Sequence, residues 1–245
     1  MTFNPGDSRA AGAGTGAGRF DASPTAAPLP AAAVAALLSQ AFLWMFAGLL
    51  LTAVVAFVVQ GNEALRRIAA DYLIVLFLGQ LGVVIAISAG IQRFGATAAL
   101  GLFFVYAASL GLTVGLIVSL YTGESVATAF LSAGAMFGAA ALYGATTKRS
   151  LAGLGGTLTM GLFGLIVASV VNVFLGSSTI GWVLSIGGVI LFTALTAYDV
   201  QKISSGALVA ATGSIEKAAV LGALHLYLDF INLFLFLLRL TGNRR

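Results

Sequence analysis

The chain has 245 residues, 60% of them hydrophobic and only 8% charged, where soluble domains carry roughly 25% charged residues. With a mean hydropathy of +1.05, it reads as an integral membrane protein. The net charge of +4 does not point to nucleic acid, because the basic residues stand singly or in pairs at the ends of apolar runs. The absence of cysteine and the single histidine argue against a disulfide framework, a thiolate site or a zinc centre.

Residues 1–36 are mostly Ala, Gly, Pro, Thr and Ser. Such a segment buries too little apolar surface to fold and reads as a disordered tail, with 31–36 as a frayed start to the first helix. It lacks the order of a secretory signal. Residues 37–245 are expected to form one transmembrane domain of seven helices, near 37–59, 72–92, 96–120, 126–146, 151–175, 179–203 and 218–240. Each apolar run is long enough for the ~20 residues that cross a bilayer core. No Asp, Glu, Lys or Arg occurs between Asp21 and Glu63, between Asp71 and Arg93, or between Arg149 and Asp199.

The separators are short loops, the most charged being 60–71 and the longest late one 204–217. Loop charge predicts the orientation. Arg93, Lys148, Arg149, Lys202 and Lys217 fall on the same side as the N-terminus, giving seven basic residues there against five opposite. The positive-inside rule then puts the N-terminus in the cytoplasm. Among the 31 glycines, Gly111 and Gly115, Gly134 and Gly138, and Gly82 with Ala86 and Gly90 are small residues at four-residue spacing. They read as faces where helix backbones pack closely, in a bundle with little room for a large substrate.

Two acids lie inside apolar runs. Asp229 sits in AVLGALHLYLDFINLFLFLLRL, and a carboxylate there costs about 2.5–3.5 kcal/mol on insertion scales. His225, Asp229, Asn232 and Phe236 share one face of the last helix. Asp229 is roughly 16 Å from the start of that run. Asp199 shares a face of the sixth helix with Phe192, Thr196 and Ile203. Asp199 has two readings: an interfacial acid paired with Lys202 one turn on, or a functional partner of Asp229. Asp229 in turn is either a structural, hydrogen-bonded acid or a functional one. His225 either tunes Asp229 or is a satisfied interior imidazole, and Arg93 is by default a snorkelling anchor. If the two acids meet, they cannot easily both ionise, and one holds a proton. The doubly ionised pair is a hard oxygen site suited to Ca²⁺. No nucleophile–base pair, metal-ligand cluster or phosphate loop suggests an enzyme or a cofactor.

The strings LTAYDVQKI (195–203) and LYLDFINLFLFLLRL (226–240) resemble the two signature segments of the Bax inhibitor-1 family, the transmembrane Bax-inhibitor-motif proteins. Residues 120–155 and 161–175 follow its pattern too, so the resemblance covers about 72–240. It implies a seven-helix bundle with the last helix central, and a pH-sensitive Ca²⁺ leak of the bacterial inner membrane. It also implies that Asp199 and Asp229 form the pH-sensing pair, with Arg93 matching an arginine associated with the closed pair. His225 departs from the pattern, where a small or hydroxyl residue is more familiar. Other bacterial members are linked to membrane-protease regulation and eukaryotic ones to cell-death suppression. The leading expectation is therefore a leak for Ca²⁺ gated by protonation. The alternatives are a regulatory protein that captures a partner such as a membrane protease through the 1–36 tail, and a proton-coupled cation exchanger.

Overall fold

The computed structural model describes residues 30–245. The tail expected over 1–36 therefore lies outside the described residues as far as 29, and residues 31–36 belong to the first helix. The described elements are α1 (Ala31–Gly61), α2 (Glu63–Asp71), α3 (Leu73–Gly90), α4 (Ala96–Val118), α5 (Gly123–Thr146), α6 (Gly155–Leu175), α7 (Ser178–Ser204), α8 (Ala207–Thr212) and α9 (Ile215–Thr241). A 3₁₀ turn, Ala152–Leu154, leads into α6. Seven of these helices, all but α2 and α8, are long and apolar enough to cross a membrane.

The spans alternate in direction, and hydrogen bonds between loops fix which loops share an end. At the near end, where α1 begins, Gln92 donates to the Ala211 carbonyl at 2.9 Å and Lys217 Nζ to the Gln92 carbonyl at 3.0 Å. Gln201 joins the 147–154 connector to α7 at the same end. At the far end, Tyr121 bridges to Arg244, and Thr122 N donates to the Asn243 carbonyl at 3.1 Å.

Over their apolar 18-residue stretches, α9 is 72% buried and the α6 span only 6%. The last helix is thus the axis of the bundle, packed by α7, α1 and α5, while α6 lies at the periphery. Lipid is as apolar as leucine, so contact, hydrogen bonding and close backbone approach hold such helices together. One joint illustrates this. Tyr227 of α9 lies edge-on to Phe103 and Tyr106 of α4, at centroid distances of 5.4 and 5.8 Å. Its hydroxyl donates to Thr52 Oγ1 of α1 at 2.6 Å, and Thr52 donates to the Ala107 carbonyl of α4 at 2.8 Å. Tyr227→Phe removes one of these bonds and should lower stability by about 0.6–1.7 kcal/mol. Thermal unfolding in detergent measures the loss, and an unchanged transition contradicts it.

The structure corrects three expectations. The 60–71 segment is not a loop: Asn62 Oδ1 accepts from Leu65 N at 3.2 Å and opens α2, which carries an exposed Arg67–Glu63 pair at 2.6 Å. The 204–217 segment contains α8, bracketed by Gly206 and Gly213 at φ 76° and 73°, a backbone state that favours glycine. Small-residue spacing also over-predicts packing. Gly111 and Gly115 do pack, against Val55, Val59 and Ala56 of α1. A side chain at Gly82, Gly134 or Gly138 would meet nothing within 4 Å, and Gly90 faces only its neighbour Phe94.

Candidate functional site

The site is the seam between α7 and α9. Antiparallel packing sets its register through three contacts. Gly222 of α9 meets Ile203 of α7, Gly188 of α7 meets Phe236 of α9, and Gly181 of α7 meets the Arg239 guanidinium. Counting inward from the near end, His225 falls level with Asp199, and Asp229 comes one turn deeper, beside Thr196.

The polar atoms follow that register. Asp199 and Asp229 are both buried, at 9% and 4% exposure. His225 Nδ1 lies 3.6 Å from Asp199 Oδ1, just beyond hydrogen-bond length. In the register set by those contacts, the two carboxyls stand on facing helices about one turn apart. Asp229 Oδ2 and His225 Nδ1 are buried and accept or donate no hydrogen bond within the described residues. An unpaired buried polar atom is costly, and far more so when charged.

The remaining polar residues of the face are occupied locally. Thr196 donates to the Phe192 carbonyl at 2.8 Å, and Asn232 to the Leu228 carbonyl at 2.8 Å. Neither bonds Asp229. Phe192 and Phe236 stack at 5.9 Å and close the seam one turn deeper still. The pairing of Asp199 with Lys202 does not form. Lys202 Nζ stands over the Tyr198 ring, 5.7 Å from its centroid, on another side of α7.

Arg93 is not in the seam. It is exposed in the turn between α3 and α4, beside the Gln92–Lys217 bond at the near end. Asp229 is twelve residues beyond Lys217 along α9, roughly 18 Å deeper. Arg93 thus stands at the mouth of the bundle rather than beside the carboxyls. The structure also brings forward residues that sequence reading passed over. Thr52, Gln80 and Tyr227 are buried polar groups that join α1, α3, α4 and α9. Asn172 keeps an unpaired Oδ1 near Arg239 at the far end. Each was visible as an isolated polar residue in an apolar run.

His225 adds a third ionisable side chain to the seam, facing Asp199 across the two helices.

The family described as "Inhibitor of apoptosis-promoting Bax1" matches residues 34–245, nearly all of the described chain and both acids of the seam. The inner membrane protein YbhL of Escherichia coli K12 is 45% identical over 222 residues, covering 88% of this chain and 95% of YbhL. An uncharacterized protein of Deinococcus radiodurans is 41% identical, covering 84% of this chain and 90% of its own length. One from Borreliella burgdorferi is also 41% identical, with 85% and 92% covered. A match across the whole helical bundle, joined to the two signature strings on α7 and α9, places the chain in the Bax inhibitor family of membrane proteins.

Proposed function

We propose that this chain is a pH-sensitive cation leak of a bacterial inner membrane, passing Ca²⁺ slowly down its gradient, with protonation of Asp199 and Asp229 as the gate. The observation that carries this reading is Asp229: a buried carboxyl with an unpartnered oxygen, about one turn from a second buried carboxyl on the facing helix. With one proton between them the two groups tolerate each other, and α7 and α9 stay packed. With both ionised, like charges repel across the seam and favour its opening.

Ca²⁺ takes six to eight oxygen ligands when held tightly. The seam offers two carboxyls, and among the described residues no group of three or more His, Cys, Asp or Glu is arranged to hold a metal ion. That suits an ion in transit better than a resident one. The near end, with its five basic residues in the 91–95, 147–154 and 205–214 loops and the adjoining helix ends, is the cytoplasmic side in this reading.

Proteoliposomes holding the full chain test the proposal. Calcium flux should change at least about tenfold between roughly pH 5 and 8. Flux that does not vary with pH overturns the gate. Saturable counter-transport driven by a proton gradient would instead identify an exchanger working at the same seam.

A further inference from the structure

The α5–α7 face, on the side of α7 away from the acids, carries a second feature. A groove of about 470 Å³ runs between these helices, lined by Met136, Ala140, Tyr143, Val189, Thr193 and Ala197. A second cavity of about 430 Å³ shares Tyr143, Ala194 and Ala197 with it and continues to Arg149, Ser150 and Leu154 at the near end. The two form one slot, apolar along its length and basic at its mouth. Its cause is visible in the packing. Gly144 lets α5 touch the Ala197 backbone just below the mouth, and alanines at 140, 194 and 197 leave the space beneath the larger side chains empty.

The slot has the dimensions of one bilayer leaflet. From Tyr143 to Met136 and from Ala197 to Val189 it descends roughly 10–12 Å along the helices before its mouth is added. Half of a ~30 Å hydrocarbon core is about 15 Å. The mouth is also held in place. Gln201 of α7 donates to the Arg149 carbonyl at 2.9 Å and accepts from Leu151 N at 2.6 Å. That clamp holds Arg149 and Ser150 at the mouth of the slot, with Lys148 next in the chain and both basic side chains exposed. The 147–154 connector contains no acid, so nothing within it neutralises the pair. Lys202, over the Tyr198 ring, adds a third cation on the last turn of α7.

From this charge complementarity we propose that the slot binds one anionic phospholipid of the near-end leaflet. An acyl chain fills the α5–α7 groove, and the headgroup phosphate rests on Lys148, Arg149 and the Ser150 hydroxyl. Neutral headgroups offer the basic mouth no matching net charge, and a free phosphate lacks the chain that fills the groove. The site is independent of the acidic seam and of whether the protein conducts.

Native mass spectrometry of the detergent-purified full chain, titrated with phosphatidylglycerol or phosphatidylcholine, tests it. Phosphatidylglycerol should bind at least about tenfold more tightly. Lys148→Gln/Arg149→Gln should remove that preference, and Ala194→Phe, which fills the groove, should weaken both lipids. Arg66→Gln/Arg67→Gln, a basic pair on α2 at the far end, should leave binding unchanged. Equal affinity for the two lipids overturns the proposal. So does a loss from the α2 pair as large as that from the Lys148 pair, which would mean surface charge alone. Displacement of the lipid by millimolar inorganic phosphate also overturns it, because the mouth would then bind a soluble anion. Unchanged helical circular dichroism of each variant shows that the comparison is made on folded protein.

Discussion

Calcium flux through the Asp199→Asn/Asp229→Asn variant is expected to lose its dependence on pH between about 5 and 8, while the protein stays folded. Asparagine keeps the size of each side chain and removes the charge that protonation would remove. The double variant therefore mimics the fully protonated seam at every pH, and its flux should match that of the wild type at the acidic limit. The single variants should not be equivalent. Asp199 retains His225 as a partner at 3.6 Å, whereas Asp229 has an unpaired oxygen at 4% exposure. Asp229→Asn removes the more costly charge and should yield the tighter, more stable protein of the two. A double variant whose flux still follows pH as the wild type does contradicts gating by this pair.

The second large effect is structural. Gly144 sits where α5 crosses α7, and a side chain there would collide with the Ala197 carbonyl oxygen and approach its Cα to 3.0 Å. The obstacle is backbone, which cannot rotate away as a side chain can. Overpacking a core typically costs about 1–3 kcal/mol and occasionally more, so Gly144→Leu should fall at or above the upper end. It should also displace the segment of α7 that carries Asp199, two residues from the contact. Gly138→Leu, six residues earlier on the same helix, meets open space and should be neutral. Thermal inactivation in detergent compares the two. Similar midpoints for both variants would contradict the close approach.

These two glycines also show where sequence reading stops. Spacing marks small residues, but only the angle at which a neighbour crosses decides which of them is covered. Gly111 and Gly115 lie under α1, while Gly134 and Gly138 with the same spacing face outward. The spans themselves were legible, because charge is nearly absent from them and each is close to the length that a bilayer demands. The short helices were not. Both α2 and α8 lie in polar or turn-rich separators, where a cap such as Asn62 or a pair of glycines competes with loop composition.

The site was legible in part. Asp199 and Asp229 stood out by cost, and the signature strings tied them together. Their depth and facing helices follow from the strings and from alternation of the spans. The partner of Asp199 did not follow. Lys202 is nearer in sequence, yet side chains three residues apart still diverge in angle, and Lys202 points to Tyr198 instead. His225 reaches Asp199 only because α7 and α9 run antiparallel with Ile203 against Gly222, a register that no single helix contains. Arg93 likewise matched by position along the chain. The structure puts it in an exposed turn at the mouth, a placement set by the Gln92 and Lys217 contacts between loops.

The protonation of the seam itself can be watched. Infrared difference spectroscopy of the membrane-embedded chain separates protonated from ionised carboxyls through their carbonyl band. Gating at Asp199 and Asp229 predicts a buried protonated-carboxyl band that vanishes over the same pH interval in which calcium flux changes, and that is missing in Asp229→Asn. A band that is unaffected by Asp229→Asn, or that titrates outside the interval of the flux change, would contradict the shared proton as the gate.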